Sequence, residues 1–198
     1  MTLAMPIASN ANAPSQSVVE QAWALLESLT DPEIPVVTLR ELGILRDVRL
    51  ATNNHDSKDS ASSAHLEVVI TPTYSGCPAM TQMADDIVAV TAAAGLPVQV
   101  RTELAPAWST DWISEAGQRK LREYGIAPPQ GRAASAGAGE LTPAQRVLRF
   151  MPRAPEAVPC PRCGSSQTTE TSHFGSTACK AMYRCLACRE PFDYFKPY

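Results

Sequence analysis

Residues 65–80, HLEVVITPTYSGCPAM, take the chain out of one kind of secondary structure and into another. Leu66, Val68 and Ile70 alternate with Glu67, Val69 and Thr71, the period-two pattern of a strand. Beyond the turn the period becomes helical. Met80, Met83, Ala84, Ile87 and Val90 line one face, behind Pro78, whose missing amide suits the first position of a helix. Gly95 ends that helix, and Val98, Val100, Thr102 and Leu104 then alternate with Gln99, Arg101 and Glu103 as another strand. A strand–helix–strand crossover in one sheet is right-handed and leaves its two strands parallel.

Upstream, Ile44, Val48 and Leu50 predict an earlier strand, interrupted at Arg46. The polar stretch ATNNHDSKDSASSA (51–64) between the two strands predicts an exposed loop, hence a long-looped antiparallel hairpin. His55 and His65 flank that loop and are expected in solvent. Ser17-Val18-Val19-Glu20 has the form of a capping box. Val18, Ala22, Leu25, Leu26 and Leu29 behind it predict an amphipathic helix over 18–29, stopped at Asp31-Pro32. The order helix, strand, strand, helix, strand implies an α+β fold: an α/β sandwich with a small mixed three-stranded sheet and helices packed on it.

Downstream, SEAGQRKLREYGI predicts a helix from about Ser114 to Tyr124, stopped by Gly125. APPQGRAASAGAGE (127–140) is rich in Ala, Gly and Pro and reads as a linker, after which Thr142-Pro143 opens a helical turn or two. From Cys160 the composition changes: six of the twelve aromatics and five of the six cysteines fall in the last 39 residues, which marks a second, smaller module. The expected organisation is a disordered lead-in at 1–16, an α/β domain at 17–126, a linker at 127–142 and a metal-binding, zinc-ribbon-like module at 143–198.

Composition narrows the function. The 198 residues are 44% hydrophobic and 19% charged, ordinary for a globular protein, and the net charge of -3 argues against nucleic acid or an anionic membrane as partner. No apolar run approaches the length of a membrane span. The first residues lack the basic and apolar regions of a secretory signal, so the expected compartment is the cytoplasm. There, cysteines are reduced, metal-bound or reactive rather than disulfide-paired.

CPRC (160–163) and CLAC (185–188) are two C-x2-C knuckles. Together they offer four thiolates, Cys160, Cys163, Cys185 and Cys188, to one tetrahedral ion, for which zinc is the expectation. Four thiolates also suit an iron–sulfur cluster, and spacing does not separate the two. A module this small has little core, so the metal would supply much of its folding energy. Four thiolates leave His173 no position, and Cys179 fits neither knuckle; it reads as a buried or partly exposed thiol. From Cys160 onward the chain carries five Lys/Arg against three Asp/Glu and no basic stripe, which favours protein docking over nucleic-acid reading.

Cys77 lies apart from the other five, between a strand and Pro78. At or beside a helix N-cap, free amides and the helix dipole are expected to favour its thiolate, suited to nucleophilic attack or to a soft metal. The plainer reading is an apolar filler between helix and sheet. Asp31 and Glu33, in DPEIPVVTLRELGIL (31–45), flank Pro32; they could bind a hard cation or assist a thiolate, or simply shape a turn.

DPEIPVVTLRELGIL followed by TPTYSGCPAM resembles the MIP18-like (SufT-type, DUF59) family of iron–sulfur assembly proteins over residues 17–105. With FGSTACKAMYRCLACREPFDYFKPY added, the likeness extends over nearly the whole chain, to ribbon-bearing accessory subunits of the phenylacetyl-CoA epoxidase complex. The resemblance implies a role in aerobic phenylacetate degradation, whose multicomponent epoxidase uses a di-iron oxygenase and an iron–sulfur flavoprotein reductase. It implies that Cys77, with Asp31 and Glu33, belongs to a site for iron or cluster transfer, that zinc fills the ribbon, and that epoxidase components are the partners. The expected role is accessory rather than catalytic, with homodimerisation left open. The alternatives are a structural docking subunit, or a thiol-dependent transferase or redox protein using Cys77, with Cys179 as its candidate second thiol. A di-iron oxygenase itself is not expected, since no helix-borne Glu-x-x-His pair occurs.

Overall fold

The computed structural model describes residues 13–52, 64–130 and 157–197. The expectations for most of the lead-in, most of the polar loop with His55, most of the linker and the Thr142-Pro143 turn fall outside these residues; residues 13–16, expected in the disordered lead-in, are instead helical.

The first module follows the predicted order. Helix α1 (Ala13–Leu26) precedes strands β1 (Leu45–Thr52) and β2 (Ala64–Ile70), then α2 (Met80–Ala93) and β3 (Val98–Thr102). β1 and β2 are antiparallel, β2 and β3 parallel, in the order β1-β2-β3. α1 begins before Ser17, so the expected capping box lies within the helix, and the helix ends at Leu26 rather than at Leu29. Its buried face is the predicted one, with Ala22 and Leu26 fully covered. α2 buries Met83 and Ile87, with Met80, Ala84 and Val90 half-buried beside them.

Two strand expectations change. A register shift between Leu45 and Asp47 turns β1, so Leu45 and Val48 face the core while Leu50 is 43% exposed. β2 is the central strand and is buried on both faces: Leu66, Val68 and Ile70 enter the core, and on the other face Arg49 donates to Glu67 at 2.6 Å. His65, expected in solvent, is half-buried, and its Nδ1 has no partner among the described residues.

The segment between α1 and β1 is a large part of the core. It buries Ile34, Val37, Leu39, Leu42 and Ile44 although it forms no regular element. A bridge between Thr30 and Thr38 closes it, with the Leu39 amide donating to the Leu29 carbonyl at 2.8 Å. Gly43 lets it pass Trp112: its φ is +71°, and a Cβ there would lie 2.6 Å from the Trp112 Cβ. Helix α3 (Glu115–Tyr124) is stopped as predicted by Gly125, in the left-handed region, and Ser114 caps its start, its Oγ accepting from the Gly117 amide.

The second module is a sheet of β4 (Ile126–Ala127), β5 (Thr168–Ser172), β6 (Lys180–Cys185) and β7 (Pro191–Phe195), in the order β4-β7-β6-β5. Ala127, expected in the linker, is instead fully buried in this sheet, paired in parallel with β7. The ribbon also reaches into the first module. Phe195 and Cys179 join the main core, and the Phe195 ring lies 5.9 Å from that of Trp108, whose indole N–H donates to the Leu42 carbonyl at 3.0 Å. No helix among the described residues is long and apolar enough to cross a membrane.

Candidate metal centre and thiol site

The two knuckles converge. The sulfurs of Cys160, Cys163, Cys185 and Cys188 all lie within 4.8 Å of one another, with Cys160–Cys188 at 3.8 Å and Cys163–Cys185 at 3.6 Å. A tetrahedron with metal–sulfur bonds of about 2.3 Å has edges of about 3.8 Å, so these thiols fit one four-coordinate ion. Each knuckle turns on a left-handed residue just after its second cysteine, Gly164 at φ +76° and Arg189 at φ +70°. Those turns aim backbone amides inward. The Cys188 amide points at the Cys185 sulfur and holds that thiol well below the ordinary range. The Glu190 amide acts the same way on Cys188, but burial and the neighbouring sulfurs outweigh it and push that thiol up. Four crowded sulfurs resist ionising together unless a cation neutralises them.

The second site lies where the ribbon meets the first module. A cavity of about 20 Å³ is bounded by Asp31, Glu33 and Cys77 from one side and by Thr177, Cys179 and Phe195 from the other. The three residues anticipated from the sequence are thus brought together. Asp31 is 6% exposed, and its Oδ1 accepts from the amides of Glu33 at 2.8 Å and Ile34 at 2.9 Å. Burial nonetheless raises its pKa, and these two bonds only moderate the rise. Cys77 is half-buried just before α2, where the Met80 amide donates to its carbonyl at 3.5 Å. The expectation that the helix terminus would favour its thiolate is not met: burial raises the pKa, the Ala79 amide opposes it, and the charges of Asp31 and Glu33 raise it further.

Sequence reasoning paired Cys179 with Cys77 only in the thiol-transferase or redox alternative, and it passed over Lys180 beside the site. Cys179 is 8% exposed in the turn before β6, 3.0 Å from Thr177 Oγ1, and burial raises its pKa too. Lys180 is 5% exposed, its ammonium 3.5 Å from Asp193, and its charge is felt by both Cys179 and Asp31. The odd spacing of Cys179 was the one available signal, and it said only that the residue is no knuckle ligand. His173 pairs instead with Glu170, at 3.2 Å.

A central mixed sheet with a thiol at its strand–helix turn, joined to a four-cysteine ribbon, defines a two-module class, and comparison with known families divides the chain the same way. Residues 19–102 match the family described as "Iron-sulfur cluster assembly protein", and residues 144–196 match the "PaaD zinc beta ribbon domain". An Escherichia coli (strain K12) protein named as one component of a "Putative 1,2-phenylacetyl-CoA epoxidase" is 44% identical over 185 residues, 93% of this chain and 94% of that protein. The chain belongs to the PaaD family. Among solved structures, a Bacillus anthracis domain of unknown function, DUF59, is 24% identical with a TM-score of 0.45, covering 55% of this chain and 95% of its own. A Mycobacterium tuberculosis protein described as associated with Fe–S complex assembly and repair is 20% identical with a TM-score of 0.31, covering 61% and 96%.

Proposed function

We propose that this protein is a cytoplasmic accessory factor of aerobic phenylacetate degradation that helps to load iron or an iron–sulfur centre into components of the phenylacetyl-CoA epoxidase complex. The observation carrying this reading is the separation of two kinds of thiol site. The ribbon sulfurs are closed around one tetrahedral position, as a structural ion requires, and zinc is the ion proposed there. Cys77 stands apart beside a buried carboxylate, in a cavity with no catalytic dyad, on the module that matches iron–sulfur assembly proteins. A thiol with few fixed partners can take up a soft ion and release it again. Asp31 and Glu33 are assigned to shaping and charging this transfer site. The ribbon is assigned to client docking, a role supported by the exposed Phe174, Met182 and Leu186 on it.

The test is cofactor loading. The epoxidase components are expressed with wild-type protein, with Cys77→Ala, or without the protein, and iron and acid-labile sulfide are measured in the purified reductase and oxygenase. Loading should fall in the second and third cases. Equal loading in all three would reject the proposal. Stable co-purification that ignores Cys77→Ala but fails with ribbon variants would favour a purely structural role.

A further inference from the structure

The cavity shared by the two modules says more about what the thiol site holds. Two cysteines 102 positions apart border it, one beside each module's turn: Cys77 ahead of α2 and Cys179 ahead of β6. Asp31 adds a carboxylate whose described hydrogen bonds both end on Oδ1, so Oδ2 keeps its lone pairs for a further partner. About 20 Å³ is enough for one water molecule or one ion, since a single probe sphere needs roughly 10–15 Å³. It is too small for even a two-iron, two-sulfide rhomb.

From this we infer that Cys77 and Cys179, with Asp31, form a composite site for a single divalent cation of the ferrous type, which the ribbon completes by supplying the second thiol. This rests on the proposed transfer role of Cys77 and narrows it to an ion rather than a preformed cluster. The donor set matches the ion: two sulfurs and one oxygen suit a borderline first-row cation, while magnesium and calcium take oxygen alone. When the ion enters, two metal–sulfur bonds replace two S–H bonds and both protons leave to solvent. Among the described residues only the ribbon set has three or more candidate donor atoms all within 4.8 Å of one another, so at least one pair among the Cys77, Cys179 and Asp31 donors stands farther apart and must close in when the ion binds. A loose site binds more weakly, as cargo that must be handed on requires.

Anaerobic full-length protein, its ribbon filled with zinc, is titrated with Co²⁺ as a spectroscopic stand-in for Fe²⁺. The ribbon keeps its zinc, because zinc outranks cobalt at such sites. One further Co²⁺ should bind, with a sulfur-to-cobalt charge-transfer band of two-thiolate intensity. Cys77→Ser and Cys179→Ser should each halve the band per cobalt and weaken binding about tenfold or more, with zinc content unchanged. An independent measurement needs no variant: saturating Co²⁺ should protect both Cys77 and Cys179 of the wild-type protein from alkylation, read by mass spectrometry. A Cys179→Ser titration identical to wild type, or protection of Cys77 alone, would overturn the composite site while leaving the proposed function standing. Uptake of iron and sulfide in equal amounts, lost in Cys77→Ser, would overturn the single-ion assignment. Loss of cofactor loading as a test of function reads the epoxidase components instead, so the two failures are distinguishable.

Discussion

Asp31 is held between opposing forces. Burial favours its neutral form, the Glu33 and Ile34 amides favour its charged form, and burial prevails. A folded-state pKa above the ordinary 3.8 means that the stabilising contribution is complete below 3.8 and lost as pH rises through the raised value. At neutral pH the ionised carboxylate therefore costs stability. Asp31→Asn keeps an Oδ1 acceptor for both amides and removes the charge. The metal-free variant should melt at a higher temperature than wild type at pH 7, and the difference should close as the pH falls below 3.8. Cys77 obeys the same arithmetic for a thiol. Its ionisation is displaced above the ordinary 9.0, by burial first and by the Asp31 and Glu33 charges after the opposing Ala79 amide. Alkylation of Cys77 in metal-free protein should be slow at pH 7 and rise with a midpoint above 9.0, and Asp31→Asn should move that midpoint down. A midpoint below 9.0 would contradict the assigned environment.

The ribbon depends on its metal more than on its packing. Its own core is small: Ala127, Val158, Phe192 and Tyr194, with the two buried knuckle cysteines. Structural zinc in such modules binds with an apparent free energy of about 10 kcal/mol or more, so removing one ligand takes away most of what orders the knuckles. Cys160→Ala should lose the ion and the hydrogen-exchange protection of β5 to β7. The sheet β1 to β3, whose core does not include the knuckles, should keep its protection. Equal loss in both sheets would show that the modules unfold as one unit. At this level the chain could be read well in advance. Periodicity marked the faces of α1 and α2, Ser114 and Gly125 marked the ends of α3, and the knuckles marked the ribbon, because each signal is local. The 31–44 segment was harder, since its five buried apolar side chains follow no period and their burial depends on what closes over them.

The two modules are joined by side chains rather than by the linker alone. Phe195, at the end of β7, is fully buried against Trp108 in the core of the first module and borders the thiol cavity. Phe195→Ala should cost about 3–5 kcal/mol by equilibrium denaturation, the range for deleting a buried aromatic. It should also speed alkylation of Cys179 without changing the zinc content, since the knuckles lie at the other end of β6. A loss well under about 1 kcal/mol, the size of an ordinary surface substitution, would mean that the two modules are not held together through this contact.

Spacing alone was enough to specify the strand–helix–strand crossover and the two knuckles, because each is a pattern of neighbours in the chain; Cys77, Asp31 and Glu33 needed the family resemblance as well. Spacing could not assign Cys179. That residue's role depends on a contact across 102 positions, made when the ribbon docks and Phe195 enters the core. Nor could it give the state of the Cys77 thiol, where local amides favour ionisation and the surrounding protein opposes it more strongly. Helix ends act at short range and show in sequence. Desolvation is the sum over everything that packs around a group, and only the assembled fold determines it.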